Sequence, residues 1–94
     1  MLEIKTDPDG TIHLIGTLDA AQAERAQEHL GSITTSVTID CQDLSYISSA
    51  GLGVFIATHK RLSDQGESLA LKNVSSHIRE LLRYTGLDKV FHIS

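Results

Sequence analysis

The feature that most constrains the fold of this chain is a strand-to-helix junction near its middle. Val37–Cys41 alternate apolar and polar side chains, as a half-buried strand does, and Gln42–Ile47 are predicted to form a connection. The paired Ser48 and Ser49 then lead into an apolar helix that runs towards Leu62. A serine at such a point caps the helix by accepting a hydrogen bond from a free backbone N–H, and the helix dipole there favours added negative charge. The junction is therefore chemically suited to carry a phosphate.

Two strand patterns precede this junction. Leu2 and Ile4 alternate with charged residues, and Ile12 and Leu14 lie on either side of a histidine. Both segments are typical of half-buried strands. The intervening Asp7–Gly10 contains a proline, which presets a turn dihedral, and a glycine, which tolerates a positive one. We therefore expect an antiparallel hairpin.

Two further helices are predicted, one on each side of the junction. The first covers Ala20–Leu30, where Asp19 and Gln22 have the spacing of a capping box and a glycine follows the last residue. The other begins after Ser75 and carries an apolar stripe up to a glycine stop at Gly86. The middle helix, which follows the paired serines, has the widest apolar stripe and is expected to be the most buried.

The order of these patterns predicts the fold class. A fourth strand contains Leu69 and Leu71, and Val90–Ile93 form either a short last strand or a tail laid on the core. Strands separated by helices imply right-handed β-α crossovers between parallel neighbours, with the first strand antiparallel at the edge. We therefore expect a single α/β domain over residues 1–94 that contains a small mixed β-sheet, with helices mainly on one face.

Composition argues against several function classes. The 94 residues include twelve acidic and eight basic side chains, so the net charge of −4 does not favour nucleic acid or a membrane surface as a partner. No run approaches the roughly 20 apolar residues of a membrane span, and the first residues do not form a signal-peptide core. The single Cys41 cannot form an internal disulfide and is expected to be a small buried hydrophobic residue. We expect a cytoplasmic monomer.

The common catalytic and cofactor motifs are missing. The five histidines have no metal-ligand spacing, and Gly51 and Gly53 offer only the start of a dinucleotide fingerprint. Ser49 lacks the Gly-x-Ser-x-Gly elbow of serine hydrolases. We therefore expect no catalytic residue, metal or cofactor. A small serine enzyme or a nucleotide-binding protein is kept only as an alternative.

The junction also carries a family resemblance. Asp43–Val54, with the sequence DLSYISSAGLGV, resembles the signature of the STAS domain in the bacterial anti-sigma factor antagonists. Flanking segments extend the resemblance along the chain, namely Gly16–Asp19, Thr38–Cys41, Leu69–Asn73, Thr85–Leu87 and Val90–Phe91. The resemblance implies the STAS fold and a protein-binding role without enzymatic activity.

The same resemblance implies a site and its partners. In such antagonists a serine kinase that is also the anti-sigma factor phosphorylates the serine before a small residue, glycine and leucine. By position this serine is Ser49, with Ser48 as second choice where well-known members often have aspartate, and Asp19 matches a family aspartate near the same surface. The implied partner-binding residues also include Gly51 and Leu52. Binding would displace the sigma factor, phosphorylation would end binding, and a serine phosphatase would restore it.

One alternative lies within the same family. A STAS-type accessory subunit of a lipid ABC transporter is also a small single domain. Such a subunit docks on the transporter ATPase and need not be phosphorylated, so its binding partner would distinguish it from an antagonist.

Overall fold

The computed structural model describes residues 1–94 as three α-helices on a six-stranded mixed sheet. The strands are β1 (Leu2–Thr6), β2 (Ile12–Leu18), β3 (Val37–Asp40), β4 (Leu44–Ile47), β5 (Leu69–Lys72) and β6 (His92–Ile93). The helices are α1 (Ala20–Gly31), α2 (Ser49–Ser63) and α3 (Ser76–Thr85), and a 3₁₀ turn covers Leu87–Lys89. The sheet order is β1-β2-β3-β5-β6, with only the β1-β2 pair antiparallel. The predicted α/β fold with an antiparallel N-terminal edge strand is confirmed.

The prediction was wrong for Gln42–Ile47, which is more than a connection. Its last four residues are β4, which pairs in parallel with the C-terminal half of β2. Leu44 and Ile47 are buried while the two residues between them are exposed, so β4 lacks the alternation from which a strand is predicted. The register shifts by one residue between the Gly16–Leu44 and Thr17–Tyr46 pairs, because Ser45 is an extra residue in β4. The strand exists because β2 offers it backbone partners.

The C-terminal segment, for which two conformations were open, combines both. His92 and Ile93 pair with β5 as a two-residue strand, and Phe91 just before them is buried. The Phe91 ring meets the Phe55 ring of α2 edge-on, with centroids 6.2 Å apart. The end of the chain is therefore attached to both the sheet and the core.

One face of the sheet carries the core. The 21 buried apolar side chains form a single cluster that includes Leu14, Ile39 and Leu71 from three adjacent strands. Helix α2 buries six residues, four of them in this core, whereas α1 and α3 bury two each. The expectation that α2 is the most buried helix is confirmed.

The other face of the sheet is polar. His13 lies there between two carboxylates, with its Nε2 atom 2.7 Å from Asp7 Oδ2 and its Nδ1 atom 3.4 Å from Asp40 Oδ2. Burial acts to raise the pKa of the Asp40 carboxyl. Hydrogen bonds from the Gln42 backbone N–H and the Asn73 amide outweigh this effect and hold that pKa below its ordinary value. Asp40 is therefore a charged, hydrogen-bonded anchor for the connection that leads to β4.

Outside the junction the chain offers little reactive chemistry. Cys41 is fully buried, and burial together with the nearby Asp40 charge raises the pKa of its thiol to about 12. The thiol therefore stays protonated and packs as a small hydrophobic group, as predicted. No cluster of three or more histidine, cysteine or acidic side chains is arranged to hold a metal ion.

None of the helices combines the length and apolar character needed to cross a membrane.

Candidate functional site

The candidate site lies where β2 and β4 end side by side. Leu18 pairs with Ile47 at the last residues of these two parallel strands. The next residues, Asp19 and Ser48, are the N-caps of α1 and α2. Two helix N-termini, each with a partial positive charge, therefore begin side by side at the carboxyl ends of these two strands.

Ser48 is a fully engaged structural cap. Its hydroxyl accepts a hydrogen bond from the Gly51 backbone N–H at 3.2 Å and donates one to the Leu18 carbonyl at 3.4 Å. Its backbone N–H donates to the same Leu18 carbonyl at 3.0 Å. The half-buried Ser48 thus ties the start of α2 to the end of β2.

Ser49 differs from Ser48 although it is the next residue. It is the first residue of α2, its side chain is exposed, and its hydroxyl has no hydrogen-bond partner within the chain. Ala50, which follows it, is also exposed and adds little bulk. A hydroxyl group is therefore presented to solvent, and to any docking protein, at the positive end of a helix.

Gly51 and Leu52 lie beneath this surface. A Cβ atom on Gly51 would stand 2.6 Å from the Leu18 carbonyl oxygen and 2.8 Å from Ile47 Cγ1, so only glycine lets α2 approach the ends of the two strands this closely. Leu52 is only 6% exposed and belongs to the core cluster. Both residues position the serines and have little surface to offer a partner.

Asp19 occupies the corresponding place at the start of α1. Its Oδ1 atom accepts a hydrogen bond from the Gln22 backbone N–H at 3.2 Å. The return bond from the Gln22 side chain to the Asp19 backbone, which would complete a capping box, is absent. Asp19 is therefore a half-buried cap whose carboxylate stands at the same edge as the two serines.

Sequence reasoning missed the exposed residues around Ser49. Gly53 and Ile56 follow Ser49 by one and two helical turns and so share its face of α2. Ile56 is 42% exposed, and a Cβ atom on Gly53 would meet nothing within 4 Å. Tyr46 of β4, two residues before the Ser48 cap, is 47% exposed. Counting helical spacing from Ser49 could have identified Gly53 and Ile56, whereas the exposure of Tyr46 depends on the pairing of β4.

The different environments of the two serines predict different effects on stability. Ser48→Ala removes a helix cap and should lower the free energy of unfolding by about 1 kcal/mol. Ser49→Ala removes an exposed, unpaired hydroxyl and should change it by less than about 0.5 kcal/mol. Thermal unfolding followed by circular dichroism should therefore show a fall in Tm of roughly 4–8 °C for Ser48→Ala only. Equal effects of the two substitutions would contradict the assignment of Ser48 as the cap.

Comparisons with known proteins agree with this architecture. The family model of the STAS domain matches residues 2–94. The chain is also 33% identical over 93 residues to the anti-sigma-B factor antagonist of Bacillus subtilis (strain 168), an alignment that covers 96% of this chain and 85% of that protein. The match therefore extends over nearly the whole of this chain and most of the relative.

Two solved structures have the same fold. An anti-sigma factor antagonist from Mycobacterium paratuberculosis superimposes with a TM-score of 0.81 at 19% identity, covering 99% of this chain and 83% of that one. The phosphorylated form of SpoIIAA, a Bacillus cell fate determinant, superimposes with a TM-score of 0.71 at 20% identity, covering 100% of this chain and 91% of that one. Because the family model spans almost the entire chain and the Bacillus subtilis antagonist is 33% identical over most of its length, the chain belongs to the STAS domain family, among the anti-sigma factor antagonists.

Proposed function

We propose that this protein binds an anti-sigma factor through the surface around Ser49 and thereby frees a sigma factor. The observation that carries the proposal is the pair of helix N-termini at the ends of β2 and β4. The Ser49 hydroxyl, directly after the Ser48 cap, is exposed there. The relationship to an anti-sigma-B factor antagonist supports the same role. In this role Asp19, Ser48 and Ser49 form the contact surface, and Gly51 and Leu52 hold it in place.

Phosphorylation of Ser49 by the anti-sigma factor, acting as a serine kinase, switches the antagonist off. The Ser49 hydroxyl suits this role because it is exposed and unpaired, whereas the Ser48 hydroxyl is occupied by the helix cap. A phosphate adds about −1.5 to −2 charges, which the N-terminus of α2 accommodates. A serine phosphatase removes the phosphate and restores binding.

The protein acts as a binding module without catalysis of its own. Its net charge of −4 does not favour binding to DNA, so its effect on transcription is exerted through protein partners. The site of action is the cytoplasm, where sigma factors meet RNA polymerase.

Intact-mass analysis tests the proposal. The protein is incubated with ATP and the candidate anti-sigma kinase encoded in its own genome, and the modified residue is mapped by peptide fragmentation. We expect one added phosphate on Ser49. Ser49→Ala should abolish it, and the matched variant Ser48→Ala should retain it.

The other outcomes are also informative. Tight binding to the kinase without phosphorylation would refute the phosphorylation switch but would still support the role as an antagonist. Phosphate mapped to Ser48 would refute the choice of serine. The absence of both binding and phosphorylation would overturn the proposal. Capture of a transporter ATPase instead would establish the accessory-subunit alternative.

A further inference from the structure

Strand β1 has a free edge. It lies at one end of the sheet and pairs with β2 on one side only. At the two ends of this hairpin, the Thr17 N–H donates to the Met1 carbonyl and the Asp7 N–H donates to the Thr11 carbonyl, both at 2.8 Å. Antiparallel strands alternate between hydrogen-bonded and non-hydrogen-bonded pairs. These terminal bonds therefore determine which residues of β1 point their backbone groups towards β2.

The alternation directs the backbone groups of Glu3 and Lys5 towards β2. The N–H and C=O groups of Leu2, Ile4 and Thr6 consequently point away from the sheet. Of these outward groups only the Leu2 carbonyl has a partner within the chain, the guanidinium of an α1 arginine. The rest form an unpaired row.

The usual devices that prevent edge pairing are weak in this strand. Natural edge strands are protected by proline, by bulges, by charged side chains such as lysine, by inward-pointing charges or by a covering loop. The five residues of β1 contain no proline, and their register with β2 is continuous. Lys5 is a charge of the protective kind, but Glu3 neutralises it in an exposed ion pair with 3.4 Å between Oε2 and Nζ.

We propose that β1 is a self-association surface that pairs antiparallel with β1 of a second copy of this chain. The two-fold axis passes through Ile4, so that Ile4 faces the partner's Ile4 and exchanges both backbone hydrogen bonds with it. Leu2 then faces the partner's Thr6, and about four backbone hydrogen bonds form in all, because the two Leu2 carbonyls stay with the α1 arginines. The two sheets join into one continuous sheet. This inference is independent of the proposed function.

The side-chain charges select this register. With the axis at Ile4, Glu3 stands opposite the partner's Lys5, and Lys5 stands opposite the partner's Glu3. Opposite charges that face each other across antiparallel strands are favourable, whereas like charges are unfavourable. A shift of two residues in one direction places Glu3 opposite the partner's Glu3, and a shift in the other direction places Lys5 opposite the partner's Lys5. Only the register centred on Ile4 pairs every charge with its opposite.

The proposal concerns a weak, concentration-dependent dimer. One five-residue strand buries far less than a standard interface, so we expect dissociation at roughly 0.1–1 mM. The monomer predicted from the sequence is then the state of the protein at low concentration. Because the pairing uses exposed charges, added salt should weaken it.

Sedimentation velocity at low ionic strength tests the proposal. Protein concentrations from about 10 µM to 1 mM are used, because they include the expected dissociation range of roughly 0.1–1 mM. The variants are Glu3→Lys and Lys5→Glu, both at exposed positions that leave the core unchanged. Each variant alone places like charges opposite each other and should weaken self-association about tenfold or more. An equimolar mixture of the two should associate about as strongly as the unmodified protein, because opposite charges then face each other again.

The controls separate pairing from folding. Circular dichroism should show equal Tm values within about 2 °C for the three proteins, as expected for exposed substitutions. The proposal is overturned if the unmodified protein remains monomeric at 1 mM, a concentration at the upper end of the roughly 0.1–1 mM expected range. It is equally overturned if a dimer forms but the two variants neither weaken it singly nor restore it together. Sedimentation needs no kinase or anti-sigma factor, so neither result bears on the proposed switch.

Discussion

Phosphorylation of Ser49 is expected to weaken binding of the anti-sigma factor about 100-fold or more. The exposed hydroxyl lies at the centre of the proposed contact surface, so docking would bury the phosphate against the partner. An uncompensated charge buried in an interface costs about 3–5 kcal/mol, and each 1.4 kcal/mol or so changes affinity about tenfold. At its own helix N-terminus the same charge is favourable, by roughly 0.3–1 kcal/mol. The modification should therefore act on binding and leave the fold intact.

Isothermal titration calorimetry with the phosphorylated and unmodified proteins measures this effect. Circular dichroism of both forms provides the control for folding. Ser49→Asp should reproduce only part of the loss, because a carboxylate has less charge and fewer acceptor oxygens than a phosphate. Equal affinity of the phosphorylated and unmodified proteins would place the contact surface away from Ser49.

The second large effect is expected from Gly51→Ala, which should lower the free energy of unfolding by about 3 kcal/mol. The new methyl group would overlap the Leu18 carbonyl oxygen at 2.6 Å and the Leu18 Cγ atom at 2.8 Å. A backbone oxygen cannot rotate away as the end of a side chain can, so α2 must shift. Because Ser48 donates to the same Leu18 carbonyl, the shift would also disturb the cap and move Ser49.

Gly53→Ala is the matched control, because it makes the same chemical change two residues along the same helix. A Cβ atom on Gly53 meets nothing within 4 Å, so alanine should stabilise the helix by about 0.5–1 kcal/mol. Chemical denaturation should show opposite shifts of the unfolding midpoint for the two variants. A Gly51→Ala protein as stable as the parent would show that α2 does not pack this closely on β2.

Several helix caps and stops that depend only on neighbouring residues were predicted correctly from the sequence. The Asp19 cap is present at the start of α1, and Ser75 caps α3 by accepting from the Ile78 backbone N–H at 3.2 Å. Gly86, predicted as a helix stop, adopts the left-handed conformation with φ of 80°. Each of these signals involves residues within four positions of one another, so the surrounding fold cannot easily override it.

The tertiary structure decided what depends on neighbours distant in sequence. Strand β4 has no alternating pattern and forms because β2 supplies its backbone partners. Ser48 and Ser49 have the same side chain, but the Leu18 carbonyl accepts hydrogen bonds from Ser48 and none from Ser49. Gly51, proposed from the motif as a contact residue, is buried against that same part of β2. The sequence alone thus determined the fold class, most of the helix ends and the location of the strand-to-helix junction, although α1 continues through Gly31, its predicted stop. The packing of α2 on β2 determined which serine is exposed, because burial and hydrogen bonding are set across the sheet.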